Sequence, residues 1–322
     1  MTELKAYTAL IETELAKIEF PESPSQLYDP LRYFLGIGGK RIRPILTLLS
    51  AELFGSTANK ALSQALCIEV FHNFTLIHDD IMDAAPMRRN MKTVHEKWNQ
   101  DVAILSGDVL MIKAYQLLGK IEPKLLPPAF ELFNKTAIEV CEGQQIDMDF
   151  EERSDVSIDE YIEMIRLKTS VLLGCALEIG AIVAEASSEN RSHIYNFGQH
   201  IGIAFQIQDD LLDLYANPEK FGKQVGGDVI ANKKTILHLT ALKHASLEQR
   251  EVIKQLQNEN NVELKVDRTR RLFDQLDVRS FCEARMQEHY AIALKSLEMI
   301  DVDASKKEAL VGLAVFLMNR EV

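Results

Sequence analysis

An all-α fold is predicted by three features of the sequence. Apolar residues recur at helical spacing, as in Leu105, Val109 and Ile112. Alternating runs of β-branched and polar residues are few, so strand signals are scarce. No proline lies between Pro128 and Pro218, which leaves room for long helices. At a usual helix length of about 11–12 residues, the chain accommodates roughly ten or more helices.

Polar breaks separate the helical segments, but none has the length or composition of a linker between domains. The clearest breaks lie near 20–30, 84–91 and 216–232. We therefore predict a single helical domain over residues 1–322. The polar segment 257–280 is predicted to form a surface loop followed by an exposed helix.

The composition excludes several classes of protein. The chain has 322 residues, is 47% hydrophobic and carries a net charge of -12, which argues against a nucleic-acid partner. No apolar run is long enough for a transmembrane helix. The cysteines are far apart without zinc-like spacing, and each is expected to be a buried free thiol. These features indicate a reducing, cytoplasmic location.

One aspartate pattern occurs twice, as HDDIMD at 78–83 and as QDDLLD at 208–213. Residues four apart share a helix face, so Asp79 and Asp83 project together, as do their counterparts in the second copy. Clustered carboxylates in apolar sequence repel one another unless a cation lies between them. All-oxygen ligands favour Mg²⁺, which also binds phosphate oxygens. One copy alone is equally consistent with an acidic, solvated helix end, whereas two copies favour a diphosphate bridged by Mg²⁺.

Basic residues flank both aspartate clusters. Arginine is suited to bidentate phosphate recognition, and lysine provides a point charge. Taken singly, each basic residue is more often an ordinary surface charge. Together they outline a phosphate-binding cavity, and they are Lys40, Arg43, Arg88, Arg89, Lys168, Lys223, Lys233 and Lys234.

With these segments the sequence resembles a known family, the trans-isoprenyl diphosphate synthases or polyprenyl synthetases of short-chain type. The matching segments include GGKRIRP, LIHDDIMD with the following RR, KTS and FQIQDDLLD, and they run from residue 38 to 235. The resemblance implies a single-domain, all-α orthogonal helical bundle of the isoprenoid synthase type with a central active-site cavity. It also implies a homodimer and Mg²⁺ as cofactor, with three ions expected in each active site.

The resemblance implies a role for each matching residue. The metal ligands would be Asp79, Asp80, Asp83, Asp209, Asp210 and Asp213. The allylic diphosphate would be held by Arg88, Lys168, Lys223 and Lys233. Isopentenyl diphosphate would be held by Lys40, Arg43, His72 and Arg89. The catalytic residues would be Lys168, Thr169 and Gln206, of which Thr169 and Gln206 would lie near the reacting allylic carbon.

The implied reaction joins isopentenyl diphosphate to dimethylallyl, geranyl or farnesyl diphosphate. The allylic diphosphate ionises, the isopentenyl double bond attacks the cation, and the released diphosphate removes a proton. Phe74 and Phe71 precede the first motif on its helix, where a large aromatic side chain would block the growing product, although both also suit an ordinary core. Phe74 at the fifth position before Asp79, with Thr75 at the fourth, favours a C20 product narrowly over C15.

Three positions after the first motif depart from the family pattern. Asn90 replaces the glycine of the usual RRG, Lys92 replaces a proline, and Asn99 replaces a glycine. These departures leave the shape of the loop open, but they spare every proposed ligand.

Two other functions compete with prenyl transfer. A terpene cyclase also uses an aspartate-rich motif and Mg²⁺, but it typically has a different second motif and needs no isopentenyl site. A non-catalytic subunit of a heteromeric synthase has typically lost one or both motifs. QDDLLD and GGKRIRP argue against both alternatives.

Overall fold

The computed structural model describes residues 2–216 and 225–318, which are almost entirely helical. The all-α prediction is therefore confirmed. Backbone contacts divide the chain into two compact units. Unit 1 takes the described residues within Met1–Lys135, Cys175–Tyr195 and Asp301–Lys306, and unit 2 takes those within Thr136–Gly174, Asn196–Ile300 and Lys307–Val322. A single domain over the whole chain stays a prediction.

Unit 1 is built around one long helix, α4. The helices that begin in this part of the chain are α1 (Thr2–Ala16), α2 (Ser25–Leu35), α3 (Ile42–Leu53), α4 (Ala58–Met82), α5 (Val94–Lys97), α6 (Gln100–Leu118) and α7 (Leu126–Glu152). Helix α4 packs most extensively against α6 and next against α3. Its middle is buried, with Ile68 and Phe71 almost fully covered, and the buried residues also include the polar Gln64, Glu69 and Asn73. This packing fixes the direction in which the polar end of α4 points.

A short β-hairpin follows α4, and the sequence did not predict it. Strands β1 (Met87–Arg88) and β2 (Met91–Lys92) pair antiparallel and leave a two-residue turn. Arg89 (φ 51°) and Asn90 (φ 62°) both have positive φ, as a type I′ turn requires. Asparagine tolerates this left-handed conformation, so Asn90 takes the place of the glycine usual in the family pattern.

The other two departures are also accommodated. The Asn99 side chain accepts a hydrogen bond from the Val102 N–H at 2.9 Å and thereby caps α6. Lys92 lies in β2, and its carbonyl accepts a hydrogen bond from the Tyr33 hydroxyl at 2.7 Å. The loop is therefore anchored at the positions where it differs from the family pattern.

Unit 2 contains the polar end of α7 and most of the chain that follows. The elements after α7 are α8 (Ile158–Ile165), a π-helical turn (Arg166–Ser170), α9 (Val171–Val183), α10 (Ser188–Tyr215), α11 (Gly227–Ile230), α12 (Ile236–His244), α13 (Leu247–Gln257), α14 (Val262–Gln275), α15 (Val278–Glu298) and α16 (Ala304–Met318). The end of α9 and the first residues of α10 and α16 belong to unit 1. Capping boxes at Ser157 and Ser246 start α8 and α13. A π-helical turn is rare and often marks a functional site.

Two sequence-based expectations need correction. The segment 257–280 contains α14, which is not simply an exposed helix, since Lys265 and Phe273 are buried along one face. Cys141 is exposed, although the other cysteines are buried as expected. An apolar neighbourhood in sequence did not determine the burial of Cys141, because its side of α7 faces outward.

Among the described residues, no single helix is long and apolar enough to cross a membrane. One bent pair, Gln100–Leu118 with Pro123–Glu152, passes by length and composition.

Candidate active site

The first carboxylate cluster lies at the carboxyl end of α4. Asp79 and Asp80 are in the last turn, and Asp83 is the C-cap residue. The helix ends because Ala84 is left-handed (φ 47°), and the Ala85 N–H donates to the Asp80 carbonyl at 2.9 Å. Carboxylates at the negative end of a helix dipole are unfavourable, so this position favours a bound cation.

Arg88 brings positive charge to this cluster from the hairpin. Its Nε and Nη2 donate to Asp80 Oδ1 at 2.8 and 2.7 Å, and Nη2 lies 3.6 Å from Asp79 Oδ2. Burial raises the pKa of Asp80 more than Arg88 lowers it, and Asp79 raises it further. Among the described residues, the buried Oδ2 of Asp80 has no hydrogen-bond partner. A cation would satisfy that oxygen.

A basic cluster lies in the same unit. Arg43 Nη1 is 3.2 Å from His72 Nε2, and the Arg89 guanidinium donates to the Gly38 carbonyl. Burial lowers the pKa of Arg43 to about 10. Burial, followed by Arg43 and Arg89, holds the pKa of His72 well below its usual value, so this histidine is neutral at pH 7. Lys40 is exposed on the adjoining turn. Several arginines around a neutral histidine form a site for an anion.

Arg41 lies next to these residues in sequence but has a structural role. It is 3% exposed and has a positive φ of 51°. Its guanidinium bonds the carboxylates of Glu12 and Glu69 and the Leu35 carbonyl. This arginine therefore ties α1, α2 and α4 together, and the GGKRIRP segment turns only some of its basic residues toward the anion site.

The second carboxylate cluster lies in the last two turns of α10 in unit 2. Asp210 is buried and accepts hydrogen bonds from the Tyr161 hydroxyl, Gln206 Nε2 at 3.3 Å and the Ile236 N–H at 3.4 Å. Burial raises the pKa of Asp210 to about 8, and Asp228 adds to the rise. A pKa of about 8 favours the neutral form of Asp210 at pH 7.

Asp228 is a site residue to which the sequence analysis gave no role. Its N–H donates to Asp213 Oδ2 at 3.0 Å, and the Gly226 N–H donates to the Asp213 carbonyl at 2.6 Å. Burial raises the pKa of Asp228 to about 6, with Asp213 raising it and Lys233 lowering it. The only sequence signal was the GGD that follows the second motif. A fourth acidic group thus adjoins the three aspartates of the second cluster.

A cleft of about 140 Å³ in unit 2 collects the residues predicted to be catalytic. Lys168 lies in the π-helical turn, and its Nζ donates to Asp147 Oδ2 at 2.7 Å. Gly143 allows this turn to approach α7, since a Cβ there would lie 2.2 Å from the Lys168 backbone nitrogen. Lys223 lies outside the described residues. The predicted residues that line the cleft are Lys168, Thr169, Gln206, Asp210, Lys233 and Lys234.

The residues proposed to limit chain length belong to an aromatic stack in unit 1. Phe74 is buried, with its ring centroid 5.5 Å from Phe71 and 4.8 Å from His78. Phe71 in turn contacts Phe133 of α7 at 5.1 Å. The Thr75 hydroxyl donates to a backbone carbonyl of α4 at 2.8 Å. Phe133 is not marked by any motif in the sequence. It lies 62 residues after Phe71, and only the packing of α7 against α4 brings the two rings together.

The donor atoms of both clusters suit a hard divalent cation. They are carboxylate oxygens, and in unit 1 they include the unpartnered Oδ2 of Asp80. Within the described ranges, no three His, Cys, Asp or Glu side chains are grouped as a complete metal site. Mg²⁺ usually binds one or two carboxylates and completes its shell with water and substrate phosphates.

Known proteins resemble this chain along its whole length. A family model described as polyprenyl synthetase matches residues 24–275. The geranylgeranyl pyrophosphate synthase of Geoglobus acetivorans is 38% identical over 320 residues, 99% of this chain and 98% of its own. The geranylfarnesyl diphosphate synthase of Natronomonas pharaonis is 41% identical over 239 residues, 68% of this chain and 70% of its own. A crystal structure of a geranylgeranyl pyrophosphate synthase superimposes with a TM-score of 0.94, at 41% identity and 99% coverage of both chains.

The chain belongs to the polyprenyl synthetase family. Its fold is the all-α isoprenoid synthase fold, as the sequence analysis predicted. It is a prenyltransferase that makes a short-chain prenyl diphosphate. Enzymes of this family use a divalent metal.

Proposed function

We propose that this enzyme condenses isopentenyl diphosphate with an allylic diphosphate to give the C20 product geranylgeranyl diphosphate, using Mg²⁺. The hairpin after α4 carries this proposal. Of its two consecutive arginines, Arg88 binds the carboxylates of the first cluster, whereas Arg89 extends to the GGK turn beside Arg43 and His72. One rigid element thus serves both a metal-dependent diphosphate site and a second anion site, as a reaction between two diphosphates requires.

In unit 1, Asp79, Asp80 and Asp83 would hold Mg²⁺ and Arg88 would contact the allylic diphosphate. The Arg88 guanidinium already spans Asp80 and Asp79, so it lies where a bound diphosphate would approach those carboxylates. Isopentenyl diphosphate would bind the basic cluster, formed by Lys40, Arg43, His72 and Arg89.

In unit 2, Asp209, Asp210 and Asp213 would hold Mg²⁺, for a total of three ions in each active site. Lys168 and Lys233 line the same cleft as Asp210 and would contact the allylic diphosphate. Lys223 keeps this role as a prediction. Thr169 and Gln206 also line that cleft, and this supports the proposal that they act near the reacting allylic carbon.

The catalytic work of these residues is charge stabilisation and positioning. When bound, Mg²⁺ neutralises the charge that develops on the departing diphosphate. Arg88, Lys168 and Lys233 add cationic contacts to that same leaving group. The basic cluster orients the isopentenyl double bond toward the allylic cation, and the released diphosphate takes the proton, so the chain need supply no general base.

The aromatic stack supports the proposed product length. Phe74 and Phe71 lie five and eight residues before Asp79 on α4, so the growing chain would meet them after leaving the metal site. Two relatives of this chain differ in the product that their names give. The relative from Geoglobus acetivorans is a geranylgeranyl pyrophosphate synthase, and the relative from Natronomonas pharaonis is a geranylfarnesyl diphosphate synthase. The C20 product is favoured, with C25 and C15 as the neighbouring outcomes.

Product analysis tests the proposal directly. The enzyme is incubated with labelled isopentenyl diphosphate and each of dimethylallyl, geranyl and farnesyl diphosphate, with Mg²⁺ or with EDTA. A C20 product from all three primers, absent with EDTA, is expected. A C15 or C25 product would correct the chain length. Turnover of geranylgeranyl diphosphate without isopentenyl diphosphate would identify a cyclase instead.

We also propose a cytoplasmic homodimer. Helix α6 and the start of α7 carry exposed apolar side chains in unit 1, namely Leu105, Ile112 and Phe130, which are 57%, 56% and 47% exposed. Leu105 and Ile112 lie seven residues apart and so share one face of α6. Sedimentation of wild type and of Ile112→Glu is expected to give a dimer and a monomer, respectively. A monomeric wild-type protein would contradict this assembly.

A further inference from the structure

Lys265 is a buried lysine that the proposed chemistry does not use. It lies on α14 and is only 6% exposed. Its Nζ donates to the carbonyls of Ile230 and Gln257, both at 3.2 Å. Lysine is rarely buried without partners that satisfy its charge, so a defined task is expected for it.

The two acceptors are the last residues of two helices. Ile230 ends α11 and Gln257 ends α13. Carbonyls at a helix terminus lack intrahelical partners and carry the negative end of the dipole, so an ammonium group there is stabilising. The Asn232 amide also donates to the Gln257 carbonyl at 3.2 Å. Lys265 and Asn232 thereby fasten the end of α11 to α13 and α14.

Helix α11 is the core of a short segment, Gly226–Lys233, that supplies two site residues. Its end is closed by a Schellman motif, in which Asn232 has φ 55° and the Lys233 N–H donates to the Asp228 carbonyl at 2.9 Å. Hence the positions of Asp228 and Lys233 are coupled. At its start, Gly226 (φ 81°) packs against Val266, since a Cβ there would lie 2.7 Å from that side chain.

The other side of this segment reaches the second carboxylate cluster. Asp228 and Gly226 donate their N–H groups to the side chain and backbone of Asp213. The segment also borders two cavities, the cleft described above and a small one of about 30 Å³ lined in part by Asp228, Lys233 and Lys265. The polar ties of Lys265 and Asn232 therefore act on a segment that borders the cleft directly.

We propose that Lys265 is a positioning residue for the second metal cluster. Its ammonium group holds the segment Gly226–Lys233 so that Asp228 supports the Asp213 carboxylate and Lys233 borders the cleft. The inference rests on the proposed function, because it assigns Mg²⁺ to Asp213 and its neighbours. Residues that orient metal ligands typically affect metal affinity about 10- to 100-fold.

The test compares Lys265→Met, which keeps the length of the side chain without its donors, with Lys265→Arg and with Lys254→Met, an exposed lysine on α13. Isothermal titration measures Mg²⁺ binding in the presence of inorganic pyrophosphate, and a rate assay measures the Mg²⁺ concentration at half-maximal activity. Lys265→Met is expected to weaken Mg²⁺ binding roughly tenfold and to raise the Mg²⁺ concentration at half-maximal activity by a similar factor. Lys265→Arg should restore most of the loss, and Lys254→Met should match wild type.

Asn232→Gly keeps the positive φ of residue 232 and removes the hydrogen bond from the Asn232 amide to the Gln257 carbonyl. It is therefore the variant to measure if Lys265→Met does not fold. It is expected to shift Mg²⁺ dependence in the same direction by a smaller factor. Unchanged Mg²⁺ binding in folded Lys265→Met would overturn the proposal. If only Asn232→Gly folds, unchanged Mg²⁺ binding in that variant would overturn it. A lower melting temperature with no change in Mg²⁺ affinity would also overturn it. If wild type makes no prenyl product, the proposed function fails, whereas the pyrophosphate titration still tests Lys265.

Discussion

The two carboxylate clusters have similar sequences but different surroundings. In the first, Arg88 places a guanidinium against Asp80. In the second, Asp210 has neutral donors, the Tyr161 hydroxyl and Gln206, and its pKa rises to about 8. A buried carboxylate is thus stabilised by a fixed cation in one unit and by a proton in the other. The same DDxxD pattern therefore does not imply the same electrostatics, because the neighbours come from distant parts of the chain.

The largest effect is expected from Asp79→Asn and Asp209→Asn, one ligand from each cluster. Each should lower kcat/KM by about 10²–10³-fold, because charge stabilisation of the leaving group is lost. Steady-state kinetics at saturating Mg²⁺ measures this, with the exposed Asp159→Asn as the control. If only one of the two aspartate variants were impaired, the clusters would differ in function as well as in surroundings.

Because Asp80 and Asp210 are stabilised differently, Arg88→Met and Tyr161→Phe are expected to lower the free energy of unfolding by unequal amounts. Arg88→Met leaves a buried carboxylate without its cation and should destabilise the fold by about 2–3 kcal/mol. Tyr161→Phe removes one donor from a protonated group and should cost about 1 kcal/mol. Urea unfolding at pH 7 compares the two variants. Equal costs would mean that Asp210 carries its charge as Asp80 does.

Unit 2 also contains a histidine pair that should make its stability sensitive to acid. His200 and His289 lie with their Nδ1 atoms 3.0 Å apart. Burial lowers the pKa of both, and that of His289 falls from 6.5 to about 4, with His200 and Arg285 lowering it and Glu288 raising it. The unfolded chain therefore binds protons first as the pH falls, so stability should decrease between about pH 6.5 and 4.

The expected loss near pH 5 relative to pH 7 is about 1–2 kcal/mol. His289→Phe should lose less over this range, because it lacks the group with the lowered pKa. Urea midpoints at the two pH values measure the difference, with His193→Phe on the same helix, α10, as the control. A variant as acid-sensitive as wild type would exclude the pair as the source.

The smallest effect on rate is expected from Phe74→Ala. This variant concerns the residue that precedes each aspartate motif on its helix. Five residues before the motif, the first helix has Phe74, whereas the second has Ala204. Only the first therefore has a bulky side chain at that position. Phe74→Ala should keep the rate within a few-fold and lengthen the product by one or more isoprene units, as measured by reverse-phase chromatography. The exposed Phe316→Ala should leave product length unchanged, and an unchanged product from Phe74→Ala would remove the proposed floor.

Much of the fold and the composition of the site could be predicted from local sequence. Helical periodicity predicted the helices, and the DDxxD spacing predicted that the first and last aspartates of each motif project together. The hairpin at 87–92 was missed, because a two-residue turn of Arg89 and Asn90 lacks the usual glycine signal. The burial of Lys265 could not be predicted from the sequence, because its hydrogen-bond acceptors are backbone carbonyls. Every residue has a backbone carbonyl, so no residue type indicates such a partner.

The sequence by itself determined the helical class, the two aspartate motifs and the basic residues around them, since these depend on residue type and spacing. Only the tertiary structure decided how each charge is compensated. It turned Arg41 inward onto Glu12 and Glu69, brought Arg88 to Asp80, and paired Asp210 with Tyr161. Burial and partners set a carboxylate's protonation, and both depend on contacts between residues far apart in the chain.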